Sequence, residues 1–276
     1  MPSVDTLEAL MKFGTQVVDL RLSDSVKGGI IPGAMSIPYP FWRGPKENPG
    51  APPSDRALSR TIGGAGLKLD RPIVLVSGTA APFDTGRAAY VYWILKSLGA
   101  KQLAILKGGH AAWKASGRPL ASTPYRGRQY RVQLKLSDQW RAGQSDVEQI
   151  AAGTLKGTLL DARPSQMFAK QTLTQQSVPS TLPGAYNSPA PSAHRLATAE
   201  GSYREGAMSV LDGLKTQKVN WSHDTVVSFC NTGELGALNW FYASEVSGIK
   251  NVKLYPESAT GWKHAGHKLA VPSIDR

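Results

Sequence analysis

A single cysteine, Cys230, stands among 276 residues, and that scarcity closes off whole classes of chemistry. One thiol forms no intramolecular disulfide and leaves no Cys cluster for structural zinc or an iron–sulfur centre. Histidine is nearly as sparse. His110, His194, His223, His264 and His267 show no HExxH or His-x-His spacing, and His264 and His267 sit among lysines as a solvated basic turn does. No metal and no organic cofactor is therefore expected. Apolar runs of membrane-spanning length are missing too, so no membrane partner is expected. The opening MPSVDTLEALMKFG lacks the charged and apolar regions of a secretory leader, which suits a cytoplasmic chain or a periplasmic one whose leader was removed. Acidic residues are in the minority, 20 Asp and Glu against 32 Lys and Arg, for a formal charge of +12. Such an excess draws anions. The cations are scattered, however, and their densest group, Tyr125–Arg131, reads as a solvated linker rather than an RNA-binding arm. No nucleic-acid partner is expected, and a monomer satisfies the sequence.

What is present is a repeat. Val17-Val18-Asp19-Leu20-Arg21 is a short apolar run closing in Asp-x-Arg, and Leu159-Leu160-Asp161-Ala162-Arg163 is another. Ile31-Pro32-Gly33-Ala34 is answered by Leu182-Pro183-Gly184-Ala185, and Ile73-Val74-Leu75-Val76-Ser77 by Val226-Val227-Ser228-Phe229-Cys230. From Ala88 and Ala237 onward the halves run without a gap, pairing Gly99 with Gly248, Trp113 with Trp262, Gly117 with Gly266 and Leu120 with Leu269. β-rich runs alternating with helical stretches that end at glycine give an α/β pattern. Each half should hold a mostly parallel sheet flanked by helices on both faces. The domains are expected at 1–122 and 136–276, joined by a linker at 123–135 where Ser, Thr, Pro, Gly and charge replace the apolar rhythm. Pro38–Asp55 and Lys170–Pro191 read as surface loops, Trp113 and Trp262 as core residues, and Asp19 and Asp161 as acceptors of loop N–H groups at strand ends.

The repeat sets Cys230 opposite Ser77, and the loop from Cys230 to Ala237 is shorter than that from Ser77 to Ala88. Asn231-Thr232-Gly233-Glu234-Leu235-Gly236 follows the thiol, and Ala237–Ala243 then has helical periodicity. Strand, glycine-bearing loop and helix start aim several amides and the positive helix end at one point. The amides of Asn231 to Gly236 should therefore lower the thiol pKa by about one or two units, giving a nucleophilic thiolate. Three chemistries use such a group. A phosphatase needs Cys-x5-Arg for bidentate phosphate binding, but Gly236 occupies that place and Cys230–Tyr242 contains no arginine. A cysteine hydrolase needs a histidine base, for which His223 and His264 are available. Sulfur transfer through a persulfide needs amide donors and no base.

Taken in order and doubled, these motifs resemble the tandem rhodanese family, the thiosulfate and 3-mercaptopyruvate sulfurtransferases, across nearly the whole chain. The carriers are the two Asp-x-Arg strand ends, the two Pro-Gly-Ala turns, Gly108-Gly109-His110-Ala111-Ala112-Trp113 and Cys230-Asn231-Thr232-Gly233. The resemblance implies two rhodanese-like domains, the first inactive with Ser77 at the cysteine position and the second catalytic. It implies an active-site loop running from Cys230 through Leu235, with Arg163 as a substrate-anion ligand. The expected activity moves a sulfane sulfur from a small anionic donor, thiosulfate by preference, to a thiol or cyanide acceptor. The alternatives are a 3-mercaptopyruvate sulfurtransferase, or a non-enzymatic persulfide carrier or thiol sensor loaded by a partner protein. The loop departs from the family pattern at several places. Asn231 and Thr232 are neutral where thiosulfate-using members often carry basic residues, and the loop is not the mercaptopyruvate type. Glu234 adds a negative charge, Leu235 stands where Thr, Ser or Arg is usual, and Glu257-Ser258 takes the place of Gly-Gly or Gly-Ser.

Overall fold

The computed structural model describes residues 1–169, 180–191 and 224–272, with positions 208, 211, 212 and 215. The chain divides into two compact units, Met1–Gly44 with Pro52–Ser137, and Pro45–Ala51 with Asp138–Arg276.

In the first unit, β1 (Gln16–Asp19), β2 (Met35–Ser36), β3 (Ile73–Val76) and β4 (Leu103–Ile105) form a wholly parallel sheet in the order β2-β1-β3-β4. All four residues of β3 are buried, as an unbroken Ile-Val-Leu-Val run requires when both faces are covered. The helices are α1 (Val4–Met11), α2 (Ser23–Val26), α3 (Asp55–Ala65), α4 (Pro82–Ser97) and α5 (Gly109–Ala115). Ser3 and Ser54 cap α1 and α3 by accepting the amides of Thr6 and Ala57. Every residue from Ala88 to Leu95 in α4 is buried, the mark of a helix enclosed on all sides. Leu7, Val17, Ile30, Val74, Val76 and Trp113 share one core.

The second unit repeats the plan with β5 (Gly157–Asp161), β6 (Tyr186–Asn187), β7 (Thr225–Phe229) and β8 (Val252–Leu254), parallel in the order β6-β5-β7-β8. Its helices are α6 (Gln144–Ala151), α7 (Ser165–Phe168), α8 (Glu234–Phe241), which runs on as a π-helical turn over Tyr242–Val246, and α9 (Ser258–His264). Val147, Leu159, Val227, Phe229, Tyr255 and Trp262 pack together. The repeat extends to single hydrogen bonds. Trp113 Nε1 donates to Pro119 O at 3.0 Å, and Trp262 Nε1 to Lys268 O at 2.9 Å.

Three stretches differ from the sequence expectation. The division between units falls after Ser137, because residues 123–135 lie along α3 rather than standing free. Tyr130 N donates to Gly63 O at 3.0 Å, Leu134 N to Ser59 Oγ at 2.9 Å, and the Lys68 ammonium sits 3.3 Å from the Tyr130 ring centre. Tyr130, Val132 and Leu134 are half-buried while Arg131, Gln133 and Lys135 are exposed, an alternating apolar stripe that the basic composition hides. Pro38–Asp55 is more than surface loop, since Tyr39 and Trp42 are buried and Trp42 Nε1 donates to Ile37 O at 3.1 Å. Its middle, Pro45–Ala51, belongs to the second unit. Of the Lys170–Pro191 stretch only Ser180–Pro191 lies within the described residues, and Ser180 and Thr181 there are buried.

Candidate active site

Cys230 sits where β7 ends and the chain turns through Asn231, Thr232 and Gly233 into α8. Gly233 holds a φ of 100°, a left-handed conformation that glycine adopts without a Cβ penalty. That turn sends its amide back to the sulfur, with Gly233 N donating to Cys230 Sγ at 3.1 Å. The amides of Gly236 and Thr232 hydrogen-bond the same sulfur, so three peptide donors converge on one atom. The Gly236 carbonyl is fixed in turn by Ser228 Oγ at 2.9 Å.

The thiol is only 2% exposed, and it packs with Ala162, Leu235 and the partly buried Ala190. Burial pushes its pKa above the usual thiol value, and the Glu234 carboxylate pushes it further. The amides of Gly236, Thr232 and Gly233 pull the other way without prevailing. The direction runs against the expected lowering of the thiol pKa. Removing a sulfur anion from water outweighs what a few amides return, and a nearby carboxylate adds to the cost. Glu234 is tied in place by Thr232 Oγ1, which donates to its Oε2 at 2.7 Å.

Sequence inspection missed Ser258. Cys230 N donates to Ser258 Oγ at 3.1 Å, and that hydroxyl donates onward to Tyr255 O at 3.0 Å. The start of α9 completes the grip, with Ala259 N on Cys230 O and Thr260 N on Asn231 O, each at 3.0 Å. Ser258 has a φ of 56°, and among the described residues no other non-glycine has a positive φ. Its counterpart in the first copy is Gly109, with a φ of 61°. The signal was the change from Gly108-Gly109 to Glu257-Ser258, a side chain placed where backbone geometry favours none. Neighbouring Glu257 is buried and pairs with Arg141.

Asp161, fully buried, accepts Arg163 N at 3.1 Å, Arg163 Nε at 2.8 Å and Thr181 Oγ1 at 2.7 Å. The Arg163 guanidinium also binds Asp161 and Ser180 O through Nη2, and Asn231 Oδ1 through Nη1 at 3.1 Å. It therefore steadies the loop from below, and the second Nη1–H is what it can offer an anion. The first copy builds the same fork without a thiol. Arg21 Nε binds Asp19 at 3.0 Å, its Nη2 donates to Gly29 O at 2.8 Å and its Nη1 to Ser25 O at 3.2 Å. His264 lies exposed in the last turn of α9, at the opposite end from the residues that hold Cys230. His223 lies outside the described residues.

Residues 3–116 match the family model described as "Rhodanese-like domain". A protein of Mycobacterium tuberculosis named "Putative thiosulfate sulfurtransferase" is 29% identical over 227 residues, covering 78% of this chain and 75% of its own length. "Sulfur carrier protein TtuD" of Thermus thermophilus is 26% identical over 271 residues, covering 92% and 87%. Among solved structures, the 3-mercaptopyruvate sulfotransferase SseA of Escherichia coli superposes with a TM-score of 0.75 at 18% identity, covering 94% of this chain and 98% of that one. At that identity the likeness is one of fold. Residues 3–116 thus match a rhodanese-like domain, and the chain as a whole has the fold of two such domains in tandem.

Proposed function

We propose that this protein is a sulfurtransferase that carries a sulfane sulfur as a persulfide on Cys230, with thiosulfate as a small-molecule donor. The convergence of three peptide N–H groups on Sγ carries the reading, because such donors stabilise the anionic sulfur of a thiolate or persulfide. After the thiol loses its proton to solvent, the thiolate attacks the outer sulfur of thiosulfate. A bond forms from Sγ to that sulfur, the S–S bond of the donor breaks, and sulfite leaves with the electron pair. A thiol or cyanide then takes the terminal sulfur and returns the cysteine thiolate. In this scheme Asn231, Thr232, Gly233, Leu235 and Gly236 shape the cradle, and Arg163 fixes Asn231 while offering its remaining N–H to the donor. The second unit does the chemistry. The first, with Ser77 at the matching place, does none.

A relative named thiosulfate sulfurtransferase supports the choice of donor. A second reading, a persulfide carrier loaded by a partner protein, is favoured by Glu234 beside the thiol and by the carrier name of a relative. The test is intact mass after incubation with thiosulfate, mercaptopyruvate or cysteine persulfide. The wild type should gain one sulfur that Cys230→Ser does not. If no donor adds sulfur, or the variant gains it equally, the proposal falls. Steady thiocyanate production from thiosulfate and cyanide then separates the enzyme from the carrier, and pyruvate release identifies a mercaptopyruvate user.

A further inference from the structure

Glu234 is the first residue of α8, directly after the glycine whose amide binds the sulfur. Its half-buried carboxylate is held at the loop by the Thr232 hydroxyl at 2.7 Å. Its negative charge raises the pKa of the Cys230 thiol. The nearby cation is largely committed elsewhere, because Arg163 is paired with buried Asp161 and bonds Ser180 and Asn231, which leaves one Nη1–H for the donor.

We propose that Glu234 sets donor choice at Cys230, disfavouring dianionic thiosulfate and favouring a thiol that bears a neutral, protonated persulfide. The inference rests on the Cys230 persulfide reading above. Loading by thiosulfate crowds a thiolate, a dianion and a carboxylate into one small space, and like charges at contact distance in a partly buried site repel strongly. With a persulfide donor R–S–SH, the Cys230 thiolate attacks the outer sulfur. The new bond joins Sγ to that sulfur, the donor S–S bond breaks, the proton stays on the transferred sulfur, and RS⁻ leaves. The charge is one negative unit before and after, so the carboxylate opposes this route less.

The test is single-turnover loading of the full chain by thiosulfate and by cysteine persulfide, read by intact mass and by sulfite release in the thiosulfate arm. Glu234→Gln should speed thiosulfate loading about tenfold, the effect of lifting roughly one like-charge contact. Loading by cysteine persulfide should rise by less than about threefold. Thr232→Val, which removes one hydrogen bond that holds the carboxylate at the loop, should move thiosulfate loading the same way by less. Acceleration of both donors by one factor would mean that Glu234 acts only through thiol acidity, and the donor-choice proposal would be overturned. No acceleration of either overturns it as well. Failure of every donor on wild type and variants alike instead defeats the Cys230 reading on which it rests.

Discussion

At the end of β3 the chain holds Ser77, and at the end of β7 it holds Cys230. The backbone around the two is nearly the same. His110 N donates to Ser77 O at 2.8 Å and Ala111 N to Gly78 O at 3.0 Å, as Ala259 N and Thr260 N do to Cys230 O and Asn231 O. The Asp-x-Arg fork is built in both copies. The space beyond the strand end is used differently. In the first copy Ser77 Oγ donates to Thr79 O at 3.0 Å, while Thr79 Oγ1 and Arg87 both bind Asp84, at 2.8 and 3.0 Å. That longer loop satisfies itself with its own side chains. In the second copy the tighter loop turns its amides onto sulfur. The fork and the α5 and α9 starts are thus shared by both copies, and what sets the proposed site apart is loop length, one left-handed glycine and the thiol itself.

The largest effect that tests this contrast is an exchange of nucleophiles. Cys230→Ser should cut sulfur loading by at least about a thousandfold, as removal of a covalent nucleophile does. Ser77→Cys should gain no sulfur, because its loop aims no comparable set of amides. Intact mass after thiosulfate treatment reads both. A Ser77→Cys chain that loads a second sulfur at the rate of Cys230 would show that any thiol at a strand end suffices.

The next effect compares Ser258 with Gly109. Ser258→Ala keeps the strained left-handed backbone and leaves the buried Cys230 amide without its acceptor, which should lower stability by about 1–3 kcal/mol and slow loading. Ser258→Gly also loses the bond but relieves a conformation costing about 1 kcal/mol or more. It should therefore unfold later than the alanine variant while loading sulfur equally slowly. Urea melts and single-turnover loading separate the two quantities. If the alanine variant proves as stable as the glycine one, the strain argument is lost.

A third, smaller effect is the pH profile of the thiol. Burial and then Glu234 raise its pKa, so alkylation of Cys230 should keep accelerating as pH rises through and past the ordinary thiol range. Glu234→Gln removes the second cause and should shift that profile to lower pH without bringing it to that of an exposed cysteine. A profile unmoved by this substitution would leave burial as the whole cause.

Much of the frame was legible because it is periodic. Buried runs such as Ile73–Val76, the paired Asp-x-Arg ends and the register of Trp113 with Trp262 follow from alternation and repetition alone, and pairing with Ser77 singled out Cys230 as the candidate. What stayed hidden depends on distance. The balance between desolvation and amide donors at Cys230 needs the depth of the sulfur. The engagement of Arg163 with Ser180 and Asn231 needs residues far apart in sequence. The seat of Tyr130 and Leu134 on α3 lay beneath a basic composition that pointed to a free linker.

The smallest effect concerns a residue that one copy has and the other lacks. His110 is 7% exposed, and its Nε2 is buried without a hydrogen-bond partner. The equivalent place in the second copy is Ala259. Burial and then the Arg21 charge lower the His110 pKa below 6.5. Asp19 and the Gly29 backbone oppose them, and Lys114 adds slightly to the lowering. The folded first unit therefore resists a proton that the unfolded chain accepts, so its stability is full above about 6.5 and declines as pH falls below that value. Hydrogen exchange in β3 and α4, which reads the first unit separately, should show protection falling from pH 7.5 to 5.5. In His110→Ala that fall should be smaller. If the variant loses protection over the same range just as fast, the acid sensitivity of the first unit lies elsewhere, and this difference between the copies is one of packing alone.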